Sequence, residues 1–243
     1  MQSNSINVDI LAFGAHPDDV EISCSGTLLK HISEGKTVGI IDLTQGELGT
    51  RGSAKLRLKE AKLAQQILGV SSRENLGMAD GFFAINQENK LKIVEMVRKY
   101  RPQIVLANSI NDRHPDHGRA SQLVSEACFL AGLSKVETML NGIAQEPWRP
   151  NAIYHYIQDR YIQPDVVFDV TPFREKKIES IKAYSSQFFD PKSDEPETPI
   201  SRSDFFDFLR SRAKEVGRPI GAEYGEGFTA ERYIGARSFF DLV

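Results

Sequence analysis

Two short polar motifs hold the side chains of this sequence that are best suited to metal binding and proton transfer. Residues 16–19 read His-Pro-Asp-Asp and residues 114–117 read His-Pro-Asp-His, so the motifs contain three of the chain's five histidines. In each motif a proline fixes one backbone dihedral beside the polar side chains, which helps to hold ligand geometry. The chemistry that these residue types predict is hydrolysis at a metal site.

His16, Asp19 and His117 have the number and type of ligands expected of a catalytic zinc site, where three protein groups leave one position for water. Fe²⁺ or another divalent metal is an alternative, because two histidines and a carboxylate also bind the iron of non-haem oxygenases. Each residue taken alone is consistent with a structural role, since an Asp before a helix is commonly a cap. The hypothesis therefore depends on the whole set of residues.

The other motif residues have the chemistry of a general acid and base. Asp18 is the predicted base that takes a proton from the attacking water, and His114 is predicted to stabilise the oxyanion or protonate the leaving amine. We expect the Asp116 carboxylate to orient the His114 imidazole and raise its pKa. Asp18 favours hydrolysis over an oxygenase or a non-catalytic binding module, neither of which needs an additional base.

The elements that must bring the motifs together follow an alternating pattern of strands and helices. Such a pattern predicts one α/β domain over residues 1–243, Rossmann-like, with a mostly parallel sheet flanked by helices and a C-terminal extension from about residue 150. Each motif follows a predicted strand, and loops at the carboxyl ends of parallel strands share one edge of the sheet. The predicted strands are 8–13, 38–43, 104–107, 152–157 and 166–170, and the predicted helices are 20–32, 55–68, 91–100, 117–132, 173–184 and one from 205.

Composition excludes several other classes of protein. Formal net charge is -3 without blocks of one sign, which argues against a nucleic-acid partner. No apolar run reaches the roughly 18 to 20 residues of a membrane span, and we expect no membrane partner. The polar N-terminal residues do not resemble a secretory signal, so we expect a cytoplasmic protein in which Cys24 and Cys128 pack in the core as thiols.

The first motif also argues against a dinucleotide-binding turn. That turn needs a Gly-x-Gly-x-x-Gly sequence, so that backbone amides can approach a pyrophosphate. Here Asp18 and Asp19 occupy the start of the helix, where their charges repel phosphate and attract a cation.

The His-Pro-Asp-Asp and His-Pro-Asp-His motifs, together with several shorter ones, resemble those of the LmbE-like, PIG-L superfamily of zinc-dependent N-acetylglucosaminyl deacetylases. The C-terminal motifs are similar to the bacterial branch that deacetylates N-acetylglucosaminyl malate during bacillithiol synthesis. The matching stretches are 15–19, 44–47, Arg57-x-x-Glu60-Ala61, 80–81, 114–117, 184–187 and 223–228.

The resemblance implies that a small amino-sugar conjugate is the substrate and that Zn²⁺ is held by His16, Asp19 and His117. It further implies substrate contacts at Arg57, which would meet a sugar or carboxylate group, and at Asp80 and Glu47. For Arg57 a solvated helix face is the alternative, and for Asp80 a turn before Gly81.

A homo-oligomer, often a hexamer, is implied by the same resemblance. Deacetylation of a chitooligosaccharide or an inositol-linked N-acetylglucosamine is the alternative activity. At Asp112 and Arg113 the chain departs from relatives that place an aromatic residue near the substrate.

Residues 191–199 are rich in proline and charge, which predicts a surface loop, with a lid over the substrate as the alternative.

Overall fold

One mixed sheet with helices on both faces forms the described part of the chain, which comprises residues 7–188 and 194–242 of the computed structural model. Its strands are β1 (Ile10–Gly14), β2 (Val38–Thr44), β3 (Ser72–Met78), β4 (Ile104–Ala107), β7 (Ala152–Tyr156), β8 (Val166–Asp169) and β9 (Gly225–Ala230), and a separate hairpin pairs β5 (Met139–Leu140) with β6 (Ile143–Ala144). The order is β3-β2-β1-β4-β7-β9-β8, and only β9 runs against the other strands of this described sheet.

Six α-helices cover the sheet within the described ranges: α1 (Asp19–Ser33), α2 (Ala54–Leu68), α3 (Gln87–Tyr100), α4 (Pro115–Ala131), α5 (Arg174–Lys182) and α6 (Phe205–Gly217). Their ends follow local chemistry. The Ser53 side chain accepts the amide of Leu56 at the start of α2, and Gly69 ends that helix with a φ of 76°, a conformation that glycine adopts readily.

Two apolar layers, one on each face of the sheet, form the core around the strands, and a third apolar cluster lies between α2, α5 and α6. β1, β2 and β4 read as almost continuous apolar runs because both of their faces are covered. Cys24 packs in one layer and Cys128 in the other, and both are buried free thiols. Their predicted role in core packing is therefore confirmed.

The predicted fold class is confirmed, and the differences concern individual elements. β3 was not predicted because it is a half-exposed edge strand of polar composition, Ser-Arg-Glu-Asn-Leu-Gly-Met. β9 contains glycine where other strands have branched residues. A Cβ at Gly225 would lie 2.8 Å from the backbone of Gly217 in α6, so this glycine allows the helix to approach the strand closely.

The order of the central strands determines where the motifs meet. β1 pairs with β2 on one side and β4 on the other, so the chain direction along the sheet reverses between β1 and β4. The first motif follows β1, and the second follows β4, with His114 as the N-cap of α4 and its other residues in the first turn of that helix. Both loops therefore lie at the crevice where open α/β sheets bind ligands.

The loop predicted over 191–199 falls partly outside the described residues, which exclude 191–193. The Glu195 carboxylate accepts the amide of Gly52 at 2.9 Å, and Thr198 and Pro199 line the same cavity as the motifs. The surface loop stays a prediction, with the lid as its alternative. Among the described residues, no helix combines the length and apolar composition needed to cross a bilayer.

Candidate active site

The two motifs meet in one cavity of about 520 Å³ at the carboxyl ends of β1 and β4. Its wall includes His16, Asp18, Asp19, His114 and His117. The imidazole centroids of His16 and His114 lie 4.6 Å apart, and those of His114 and His117 lie 5.2 Å apart. Residues about a hundred positions apart in the sequence are thus neighbours in space.

Asp19 lies between the imidazoles of His16 and His117. Its Oδ1 is 3.2 Å from Nε2 of His117, and its Oδ2 is 3.6 Å from Nδ1 of His16. The far nitrogen of each ring contacts another carboxylate: Nδ1 of His117 lies 2.5 Å from Asp112, and Nε2 of His16 lies 2.9 Å from Asp80. Histidines that ligate metals characteristically donate their other ring nitrogen to a carboxylate in this way.

This donor set fits a divalent ion such as Zn²⁺, since it offers two imidazole nitrogens and a carboxylate. His114 is a further candidate, because His16, His114 and His117 each place a ring nitrogen within 4.8 Å of the others. His16, Asp80 and Asp116 also form a compact group. In that group, however, the carboxylates of Asp80 and Asp116 both lie close to Nε2 of His16. Hydrogen bonding to this nitrogen therefore accounts for the compact arrangement.

Charge complementarity holds the predicted ligands together. Burial raises the pKa of Asp19, but the charges and hydrogen bonds of His117 and His16 outweigh burial and hold it well below its usual range. Burial disfavours the charged form of His117, yet Asp19 and Asp112 raise its pKa to about 9. Asp19 is therefore an anion at neutral pH, as a metal ligand must be.

Asp18 lies beside this set in a strained conformation, with a φ of 116°. Burial raises its pKa to about 6, against the opposing charge of Arg57. Nη2 of Arg57 donates to Oδ2 of Asp18 at 2.5 Å, and Nε donates to the carbonyl of Pro17 at 3.1 Å. Among the described residues, Oδ1 of Asp18 has no protein partner, so this oxygen is available to a ligand in the cavity.

The position of Arg57 differs from the sequence expectation. Its side chain is buried, which excludes the solvated helix face, and its charge is directed at Asp18. The residue also lines the cavity, but its hydrogen bonds go to Asp18 and to the carbonyl of Pro17 in the first motif. The contacts support a positioning role for Arg57, and the substrate contact stays a prediction.

The sequence predicted that the Asp116 carboxylate orients His114, but this carboxylate has other partners. Its Oδ2 accepts the amide of Gly81 at 2.8 Å, and its Oδ1 pairs with Arg119 at 2.5 Å. The backbone amide of Asp116 donates to Nδ1 of His114 at 3.2 Å. Burial and the charges of His16 and His117 lower the pKa of His114, so the expected rise is wrong.

Asp80 and Glu47 form a support for His16. One Asp80 oxygen contacts Nε2 of His16, and the other accepts the amide of Leu48 at 2.9 Å. Glu47 accepts the amide of Asp80 at 2.9 Å and that of Gln45 at 3.2 Å. Both carboxylates thus have protein partners, and the sugar contacts that the resemblance implies stay predictions.

Comparison with known proteins identifies the family. The PIG-L family model, described as GlcNAc-PI de-N-acetylase, matches residues 11–128. The conserved protein TT1542 from Thermus thermophilus, whose crystal structure is known, is 33% identical in sequence to this chain and superposes with a TM-score of 0.82. The superposition covers 95% of this chain and 100% of TT1542. The chain belongs to the PIG-L/LmbE-like deacetylase family.

Two curated relatives of this deacetylase have names that state an activity. Diacetylchitobiose deacetylase of Thermococcus kodakarensis is 29% identical over 90% of this chain and 81% of its own length. A probable N-acetyl-alpha-D-glucosaminyl L-malate deacetylase 2 of Bacillus anthracis is 27% identical over 74% of this chain and 81% of its own length. Family membership identifies the chain as an amide-hydrolysing enzyme.

The sequence reasoning missed two carboxamides that fix Asp19 of this deacetylase. Gln158 Nε2 donates to Asp19 Oδ1 at 3.0 Å, and Asn108 Nδ2 donates to Asp19 Oδ2 at 3.0 Å. Asn108 also donates to Gln158 at 2.8 Å and accepts the amide of Ala15 at 2.9 Å. Both residues follow central strands, β4 and β7, so their positions at the carboxyl edge of the sheet were the available signal.

Replacement of Gln158 by alanine is expected to weaken zinc binding by about ten- to a hundredfold, the usual effect of removing a partner of a metal ligand. The change frees the Asp19 carboxylate to rotate, because one of its two carboxamide donors is lost. Competition with a chromophoric chelator measures the dissociation constant. Gln122→Ala, on the exposed face of α4, is the matched control and should bind zinc like the parent. Equal zinc affinity in Gln158→Ala and the parent would refute the positioning role.

Proposed function

We propose that this protein is a metal-dependent deacetylase of an N-acetylglucosamine conjugate, with N-acetylglucosaminyl malate of bacillithiol biosynthesis as the substrate. The observation that carries the proposal is the paired arrangement around Asp19, in which two imidazoles face one carboxylate and Asp18 stands beside them. A cytoplasmic location and a divalent ion, zinc or iron(II), belong to the same proposal.

His16, Asp19 and His117 would hold the ion, and His114 lies on the cavity side of the group. When bound, a divalent ion supplies Lewis acidity to the acetyl carbonyl and acidifies water. The supporting carboxylates Asp80 and Asp112 keep the His16 and His117 rings in orientation. The remaining steps follow from the chain's own side chains.

Asp18 is the proposed proton carrier, since Arg57 donates to its Oδ2 while the residue lines the cavity. Water adds its oxygen to the acetyl carbon and passes one proton to this carboxylate. The carbon–nitrogen bond then breaks, and the nitrogen takes that proton. The products are a free amine and acetic acid, which releases its proton to give acetate at neutral pH.

His114 is proposed to stabilise the oxyanion as a neutral hydrogen-bond donor. Its Nδ1 accepts the backbone amide of Asp116, which leaves the ring proton on Nε2. The lowered pKa of His114, caused first by burial, agrees with a neutral ring. Such a donor, already oriented, can stabilise the charge that develops on the carbonyl oxygen.

We also propose a homo-oligomer, a hexamer by the family resemblance. Aromatic side chains near the C-terminus support an interface there: Tyr233, Phe239 and Phe240 are 99%, 89% and 86% exposed. Three such rings in one short segment are more apolar surface than a monomer usually leaves to water.

A substrate panel tests the proposed function. Acetate release is measured with zinc-loaded enzyme on N-acetylglucosaminyl malate, N,N'-diacetylchitobiose and free N-acetylglucosamine. We expect kcat/KM to be highest for the malate conjugate. A preference for diacetylchitobiose would keep the deacetylase and replace its substrate, in line with the relative from Thermococcus kodakarensis. Absence of release from every conjugate would overturn the proposal.

A further inference from the structure

The cavity contains more positive charge than its catalytic residues use. In the described part of the chain, three cationic side chains of its wall pair with carboxylates. Arg57 is 2.5 Å from Asp18, Lys177 is 2.5 Å from Glu226, and Arg113 is 3.3 Å from Asp159. Two further cations in the wall, Arg174 and Arg212, form no ion pair with any described residue.

Arg212 is the more informative of these two residues. It lies on α6 and is partly buried, and its guanidinium donates to the backbone carbonyl of Arg160 at 3.2 Å. Phe208 lies at one side, with its ring centroid 5.9 Å from the guanidinium carbon. Within residues 7–188 and 194–242, no carboxylate lies within 4 Å of Arg212. Burial therefore lowers the pKa of this arginine, because the more distant carboxylates compensate incompletely.

A chain of contacts connects Arg212 with the catalytic end of the cavity. The residue whose carbonyl it binds, Arg160, donates its own amide to Asp112 at 2.7 Å. Asp112 in turn holds His117, one of the proposed metal ligands. Arg174, in contrast, stacks on Tyr224 at the β9 side, 4.8 Å from the ring centroid, and lacks this connection among the described contacts.

The connectivity of the substrate makes this proximity relevant. In an N-acetylglucosamine conjugate the acetamido group is on C2 and the aglycone is attached through C1, the adjacent carbon. When the acetyl group lies at the His/Asp cluster, the aglycone must lie next to that cluster. A cation bound to the loop that supports His117 is in the appropriate region for the aglycone.

We propose that Arg212 forms an anion subsite that binds a carboxylate of the aglycone. This inference rests on the proposed function, and it deepens it by assigning the preference for an acidic aglycone to one side chain. The planar guanidinium can donate two parallel hydrogen bonds to a carboxylate, and such charge-assisted bonds are stronger than neutral ones. The partial burial of Arg212 strengthens them further, since solvent screens the charges less.

The test compares an acidic and a neutral substrate on two arginine variants of the same helix. Arg212→Gln removes the proposed contact, and Arg210→Gln is the matched control, since Arg210 is on the exposed face of α6 outside the cavity wall. We expect Arg212→Gln to raise KM for N-acetylglucosaminyl malate by about ten- to a hundredfold with a nearly unchanged kcat. Methyl N-acetylglucosaminide, which lacks the carboxylates, should be hydrolysed by Arg212→Gln and the parent within about twofold. Arg210→Gln should match the parent on both substrates.

Two results would overturn the proposed anion subsite at Arg212. An equal loss on both substrates would mean that Arg212 only supports the fold, and an unchanged KM for the malate conjugate would mean that it does not contact the aglycone. Calorimetric binding of the deacetylated product, glucosaminyl malate, separates this inference from the proposed function. If the parent hydrolyses no conjugate but binds this product in an Arg212-dependent manner, the function fails and the subsite stands. If the parent hydrolyses the conjugate and Arg212→Gln has no effect, the function stands and the subsite fails.

Discussion

Replacing Asp18 by asparagine is expected to lower kcat by about 10²- to 10⁴-fold while zinc remains bound. Asparagine keeps the shape of the side chain and tolerates the positive φ of this position, 116°, better than most residues. It also keeps an oxygen for Arg57, which donates to Asp18 at 2.5 Å. The amide cannot accept the proton of the attacking water, so the loss should fall on the chemical step.

Steady-state acetate release and zinc titration of the same Asp18→Asn preparation provide the measurement. The control is zinc affinity, which should stay within about twofold of the parent because Asp18 is outside the proposed ligand set. A variant with bound zinc and a kcat close to that of the parent would exclude Asp18 as the base. A variant that loses zinc would instead place Asp18 among the ligands.

Replacing His117 by alanine is expected to abolish both tight zinc binding and turnover. The change removes the ring whose Nε2 is 3.2 Å from Asp19 and leaves two carboxylates, Asp19 and Asp112, without their shared partner. Loss of one of three ligands should reduce kcat by more than about a thousandfold, since the ion and the orientation of the reacting groups are lost together.

Metal content after dialysis and acetate release are measured together for His117→Ala. His31→Ala is the control, because His31 lies in α1 outside the cavity wall, where its Nδ1 hydrogen-bonds the carbonyl of Thr27 and its ring packs edge-on against Phe168. His31→Ala should retain metal and activity. Metal-free His117→Ala protein with full activity would contradict the proposed ligand set.

The fold was predictable wherever burial on both faces imposed a simple pattern on the sequence. β1, β2 and β4 are almost continuously apolar because helices cover both sides of the sheet, and this composition located them. β3 has one strand neighbour and little apolar content, so its formation depends on pairing with β2. Strand pairing is a property of the tertiary structure that local composition does not contain.

The position of the site was predictable, but the detailed partners within it were not. Polar side chains after β1 and β4 had to meet because neighbouring parallel strands end at the same edge. The partner of Arg57 is 39 positions away, and that of Asp80 is 64 positions away. The sequence indicates that such residues are polar, whereas only the packed structure determines whether they face a ligand or another side chain.

Removal of an acetyl group by a metal-dependent reaction is the central activity proposed for this protein. Acetate release from N-acetylglucosaminyl malate should be measured with enzyme stripped by a chelator and then restored with zinc, iron(II) or no metal. We predict no acetate without metal and recovery of turnover with one of the two ions. Full acetate release from enzyme whose metal content is below detection would contradict metal dependence.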